Sequence, residues 1–198
     1  MKIILLALSL AITSGVLAQQ KPYYHTIPDT PTTFTATTVA ARLVDGLGFR
    51  YFWATEGLTE KDLVYKPSAN ARTTFETLEH INGLTTILLN SVSKKSTNFG
   101  TPAEKLTFPQ LRERTLKNIQ TASELLKKSD AKLEDFDMIF ERPNSKTEFS
   151  FWYLINGPIS DALWHVGQVV SFRRGSGNPL PKGVNVLTGT KTGEGSGE

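Results

Sequence analysis

The sequence predicts an all-α protein built as a four-helix bundle, with a short β-hairpin or ordered loop before the last helix. Three observations carry this expectation. Four long segments repeat apolar residues at the helical period. Turn and breaker residues, Pro67 and the Pro143-Asn144-Ser145 run among them, fall between those segments. Strand-like patterning is confined to two short aromatic runs between Lys132 and Phe151.

The first eighteen residues, MKIILLALSLAITSGVLA, have a basic start at Lys2, an apolar run and a small-residue exit with Val16 and Ala18 at the minus-three and minus-one positions. This pattern reads as a cleaved signal peptide and predicts a periplasmic or secreted protein. The Pro- and Thr-rich stretch 19–38 has no period and reads as an extended arm. His25, within it, is expected to be exposed.

The first helix is expected over Val39 to Ala54, with Val39, Leu43, Leu47, Tyr51 and Ala54 on one side. Gly46 and Gly48 weaken its intrinsic propensity and suit a helix approached closely by a neighbour. A second helix is expected from about Thr73 to Val92. The third fits LTFPQLRERTLKNIQTASELLKKS, with Thr107 as cap and Pro109 in the first turn. The fourth is expected to start near Asn156-Gly157-Pro158 and to end at Arg173-Arg174, before Gly175 and Gly177. The bundle domain therefore spans 39–178. The residues 179–198, low in hydrophobicity, are expected to form a flexible tail. Longer connections before the second and fourth helices permit crossovers, so the topology is left open.

Composition narrows the chemistry. The 198 residues hold 22 Lys and Arg against 19 Asp and Glu, a formal charge of +3 with the signs interspersed. No clustered basic face argues for nucleic acid. The chain has no cysteine, which excludes disulfides, thiolate metal sites and a cysteine-linked lipid anchor. Any metal must be held by nitrogen and oxygen, and the only histidines are His25, His80 and His165.

Asp161 and His165 stand at i and i+4, one turn apart on the same face of the fourth helix, with Gln168 and Phe172 continuing their stripe. That spacing lets a carboxylate and an imidazole converge on one ion. On the second helix His80 borders the apolar face, with Glu76 one turn earlier. Helix bundles assemble metal sites from such inward-projecting side chains. The ordinary alternative is a solvated ion pair worth about 0.2–0.5 kcal/mol, and spacing alone does not choose between the two.

The segments PSANARTTFETLEHINGL and INGPISDALWHVGQVVSFRR, about eighty residues apart, resemble the DinB-like superfamily of four-helix-bundle proteins from about Ala40 to Asn178. That family carries one histidine on its second helix and a His-x-x-x-His-x-Gly-Gln pattern on its fourth, the three histidines binding one divalent ion. His80 matches the first, and His165, Gly167 and Gln168 match the second. Asp161 stands where the family has its remaining histidine. The resemblance implies a site of His80, Asp161 and His165 for one divalent ion, whether zinc, nickel, iron or manganese. Two histidines with one carboxylate are a sound ligand set, and the added negative charge lowers the Lewis acidity of the ion.

The expected activity is metal-dependent hydrolysis of a small molecule by a metal-bound water, with Glu76 as a base and Gln168 in support of the ligands. A non-catalytic binding module for a small ligand or protein partner is the alternative. A thiol transferase fits less well, because export separates the protein from cytosolic thiol cofactors. A homodimer is compatible with the chain, but the sequence does not define its oligomeric state.

Overall fold

A computed structural model describes residues 21–100, 102, 104–128 and 130–193. The expected signal segment lies outside them. The described chain is mostly helical: α1 is Ala36–Thr55, α2 Glu60–Leu63, α3 Thr74–Val92, α4 Phe108–Leu126, α5 Phe151–Leu154 and α6 Ser160–Gly175. Among the described residues, no helix is long and apolar enough to cross a membrane.

Local chemistry sets the starts of these helices. Thr35 begins α1 with a capping box, its Oγ1 accepting from the Thr38 N–H at 3.1 Å while Thr38 Oγ1 accepts from the Thr35 N–H at 2.8 Å. Thr73 and Glu76 do the same for α3, and Thr107 and Gln110 for α4, where Pro109 sits in the first turn. The caps supply partners for N–H groups that a helix leaves unbonded.

The four long helices enclose one core. α1 packs against α4 and α6, and α3 packs against the same two. Polar pairs fix the directions. Arg112 near the start of α4 donates to Thr55 Oγ1 and Phe52 O at the end of α1, so these two run antiparallel. Asn82 meets Thr115 and Thr86 meets Asn118, in rising order on both helices, so α3 and α4 run parallel. Arg173, buried near the end of α6, donates to the Trp53 and Ala54 carbonyls at the end of α1. Those two ends coincide, and α1 and α6 therefore point the same way. Leu47, Phe49, Tyr51, Leu78, Ile81, Ile119, Leu126, Leu154 and Val169 are fully buried between them. Val39 and Leu43, expected on the apolar side of the first helix, are instead exposed.

The last helix differs most from expectation. It does not begin at Asn156-Gly157-Pro158. It begins at Phe151, after Ser150 as N-cap, and passes through a π turn over Ile155–Ile159 before continuing as α6. Pro158 lies inside the helix. Proline has no N–H to offer the ladder, and a π turn accommodates the missing bond. Ser160 closes the turn, its N–H and Oγ both donating to the Ile155 carbonyl, the latter at 2.7 Å. At the other end Gly177, at φ +95°, makes a Schellman closure: its N–H bonds Arg174 O, and the Asn178 N–H bonds Arg173 O.

Between α4 and α5 the expected hairpin is present. β2 (Met138–Arg142) pairs antiparallel with β3 (Ser145–Phe149) across Pro143-Asn144, and β1 (Thr97–Asn98) adds a parallel edge to β2.

The arm and the tail are more ordered than their composition suggests. Tyr24 and His25 form part of a 3₁₀ turn and are buried, so the expectation of an exposed His25 is corrected. The close approach that Gly48 allows is made by the Tyr24 ring, not by a helix: a Cβ there would stand 2.4 Å from it. The Tyr24 hydroxyl donates to Asp45, a buried carboxylate that also accepts from Lys127. The tail, expected to be flexible from 179, forms a hairpin of β4 (Val184–Asn185) and β5 (Thr190–Lys191). The hairpin is tied to the arm where the Ile27 N–H meets Gly189 O at 2.8 Å.

Candidate metal centre

Three side chains from two helices meet beside the π turn. His80 comes from the middle of α3, and Asp161 and His165 come from the first two turns of α6. One carboxylate oxygen and one nitrogen from each ring all lie within 4.8 Å of one another. This group can hold a metal ion.

Its spacings suit one. His80 Nε2 is 3.2 Å from Asp161 Oδ2, and His165 Nε2 is 3.3 Å from Asp161 Oδ1. Ligand atoms about 2.1 Å from a tetrahedral ion stand about 3.4 Å apart, and each imidazole nitrogen meets its nearer carboxylate oxygen close to that distance, the two nitrogens on different oxygens of Asp161. The two imidazoles meet edge to face, with ring centroids 4.6 Å apart. His80 and Asp161 are about one third exposed and His165 is 13% exposed, which leaves the group open on one side.

His165 Nδ1 lies 2.8 Å from the side-chain amide of Gln168, one turn further along α6. With the amide oxygen turned to the ring, Nδ1 donates to Gln168 and Nε2 is the atom left to face Asp161 Oδ1 at 3.3 Å. That arrangement is the one in which a histidine can also serve a metal ion.

Glu76 is placed differently from the role the sequence suggested. Its Oε2 accepts from the Thr73 N–H at 2.7 Å and from Thr73 Oγ1 at 3.0 Å, closing the cap of α3 at the surface. Those hydrogen bonds, the backbone one foremost, hold its carboxyl below the usual carboxylate range. A carboxylate so engaged is a helix cap and a poor base. His25, in the 3₁₀ turn of the arm, has its ring beside those of Trp53 and Phe52 and does not join the group.

Sequence reasoning missed two features of the site. The first is the π turn, which packs against α3 next to the ligands. Its signal was the unbroken apolar run FWYLI ahead of Pro158, which begins the helix earlier than the proline suggests. The second is Trp164, whose ring is nearly parallel to that of His165 at 6.4 Å and is largely exposed. Gly83, three residues beyond His80 on α3, is exposed, and a Cβ built there would meet nothing within 4 Å. A cavity of about 700 Å³ lies elsewhere, between the arm, α1 and α4, and none of His80, Asp161 and His165 lines it.

Compared with known proteins, the chain matches no family model, no curated protein and no solved structure.

Proposed function

We propose that the four long helices form a bundle of the DinB-like type and that His80, Asp161 and His165 bind one divalent ion for the hydrolysis of a small substrate in an exported protein. One observation carries the reading: a nitrogen of His80, a carboxylate oxygen of Asp161 and a nitrogen of His165 all lie within 4.8 Å of one another. One ion can bridge the three. The bundle type rests on the resemblance read in the two sequence segments.

The bound ion would supply Lewis acidity toward a water or a substrate oxygen. The chain's own residues do the rest. Gln168 fixes the ring of His165. The Asp161 oxygen not used in ligation is left to accept a hydrogen bond from water in the site. The side of the group toward Gly83, which is exposed on α3, admits a substrate from solvent. Glu76 has no part in this scheme.

A metal-independent binding module is the second reading, and the 700 Å³ cavity favours it. Tyr23, Phe52, Phe108 and Leu116 give that cavity apolar walls, with Lys117 on its rim and Arg112 paired with Glu56 on its wall. A mainly apolar ligand with one acidic group would suit it.

The two readings separate by metal analysis of untagged protein, followed by ester, amide, lactone and phosphoester substrates with and without chelator. Stoichiometric metal and a chelator-sensitive activity support the hydrolase. Asp161→His, which restores the family's third imidazole, should retain or strengthen zinc binding. Metal-free protein that takes up no zinc would leave the binding module.

A further inference from the structure

The helix that carries Asp161 and His165 has a second face that nothing in the described chain covers. Trp152, Asn156, Ser160, Trp164, Gly167 and Ser171 are all exposed along it, Trp152 by 77% and Trp164 by 72%. On an uninterrupted α-helix the two tryptophans would stand about 120° apart. The extra residue held in the π turn reduces this to about 20°, which aligns them. Apart from the ligands Asp161 and His165, the stretch from Phe151 to Phe172 has no charged or titrating side chain except Tyr153. A solvent-facing helix side normally carries charge.

The same face has a hole. At its Trp152 end a cavity of about 320 Å³ is lined by Ala36, Leu133, Phe151, Trp152 and Ile155, with Glu134 and Asp137 also on its wall. Trp164 is the projecting group, about 16 Å further along the helix. One molecule therefore presents a knob and a hole on one face, with the small polar residues Asn156 and Ser160 between them.

We propose that this face binds a second copy of the chain, antiparallel across a two-fold axis near Gly157, each Trp164 entering the partner's cavity beside Trp152. A two-fold interface uses one patch twice, and a knob and a hole on the same patch satisfy that symmetry. The cavity is at the small end of those that hold organic ligands, which suits one indole ring. Glu134 or Asp137 can accept from the indole N–H, the one polar group an inserted tryptophan must satisfy. Asn156 and Ser160 let the helices approach closely. The exposed parts of Trp152 and Trp164 amount to about 300 Å², taking about 200 Å² per ring. Against the roughly 800 Å² per partner in a standard interface, the backbone and small side chains between the rings must supply the rest. An anionic membrane is a poorer occupant, because from Trp152 to Ser171 the face has no Lys or Arg to meet phosphate headgroups, Arg174 standing one turn beyond its end.

Docking would also shield the open side of the ligand group, because Trp164 adjoins His165. The surface itself is independent of metal. The test is sedimentation equilibrium of purified, chelator-stripped protein from low to high micromolar concentration, with zinc uptake measured separately on the same samples. The expected mass is that of two chains. Trp164→Glu and Asn156→Arg, both at exposed positions, should each give the mass of one chain with an unchanged far-ultraviolet circular dichroism spectrum. Wild-type protein with the mass of one chain at every concentration overturns the proposal, and so does a dimer that persists in both variants. A monomer whose tryptophan emission shifts to the blue on phosphatidylcholine vesicles would assign the face to a membrane and overturn it equally.

Discussion

Gln168 and Glu76 are both polar residues one turn from a histidine, and the structure gives them opposite duties. Gln168 holds the Nδ1 hydrogen of His165, while Glu76 turns away from His80 to cap its own helix. Gln168→Leu should weaken zinc binding 10–100-fold, as measured by calorimetric titration, with little change in helix content. Glu76→Gln keeps an oxygen for the cap but loses its charge at the helix N-terminus. It should lower the urea midpoint slightly and leave zinc affinity unchanged. Spacing made the position of Asp161, His165 and Gln168 on one stripe legible in the sequence. The engagement of Glu76 was legible too, since Thr73 and Glu76 have the spacing of a capping box, but that signal competes with the turn that links Glu76 to His80. Position alone does not say which of two partners a flexible carboxylate takes.

At the scale of elements, the long helices were legible because each carries enough apolar residues at one period to bury a side. The start of the last helix was not, because Asn156-Gly157-Pro158 has the residue types of a helix start and only the preceding FWYLI run argues otherwise. The order of the tail was illegible for another reason. Its β4–β5 hairpin is held by contacts with the arm and α1 that no local pattern announces. The junction of α2 with the end of α6 is similar. Burial pushes the carboxyl of Asp62 up, but hydrogen bonds from Ser176, Asn178 and Thr59 outweigh it and hold the carboxyl well below the usual range. The sign follows from that lowering. Asp62 contributes stability that is fully present above about pH 4, the ordinary carboxylate value, and is lost as the pH falls through its lower folded value. Asp62→Asn should lower the stability at neutral pH by about 2–4 kcal/mol, because donors matched to a buried carboxylate lose a charged acceptor. The difference from wild type, followed by urea unfolding at a series of pH values, should shrink as the solution becomes acidic.

For the molecule as a whole, the ligand group joins α3 to α6, two helices far apart in sequence that the core already packs together. An ion there would bind the folded chain and not the unfolded one. Zinc at about a hundred times its dissociation constant should raise the unfolding free energy by about 2.7 kcal/mol. A chelator should remove that increment, and His165→Ala should show none of it. The parallel course of α3 and α4, which leaves α6 antiparallel beside α3, brings His80 against Asp161. The sequence alone left that topology open, because polar pairs such as Asn82 with Thr115 have no signature until both helices are placed. The most direct measurement of the central claim is calorimetric titration of chelator-stripped wild-type protein and of His80→Ala, Asp161→Ala and His165→Ala with zinc. The account predicts one site per chain in the wild type and a large loss of affinity in each variant, His80→Ala included although its residue lies on another helix. Negligible binding by all four proteins, or unchanged binding by His80→Ala, would contradict it and reduce Asp161 and His165 to an ion pair on the side of α6.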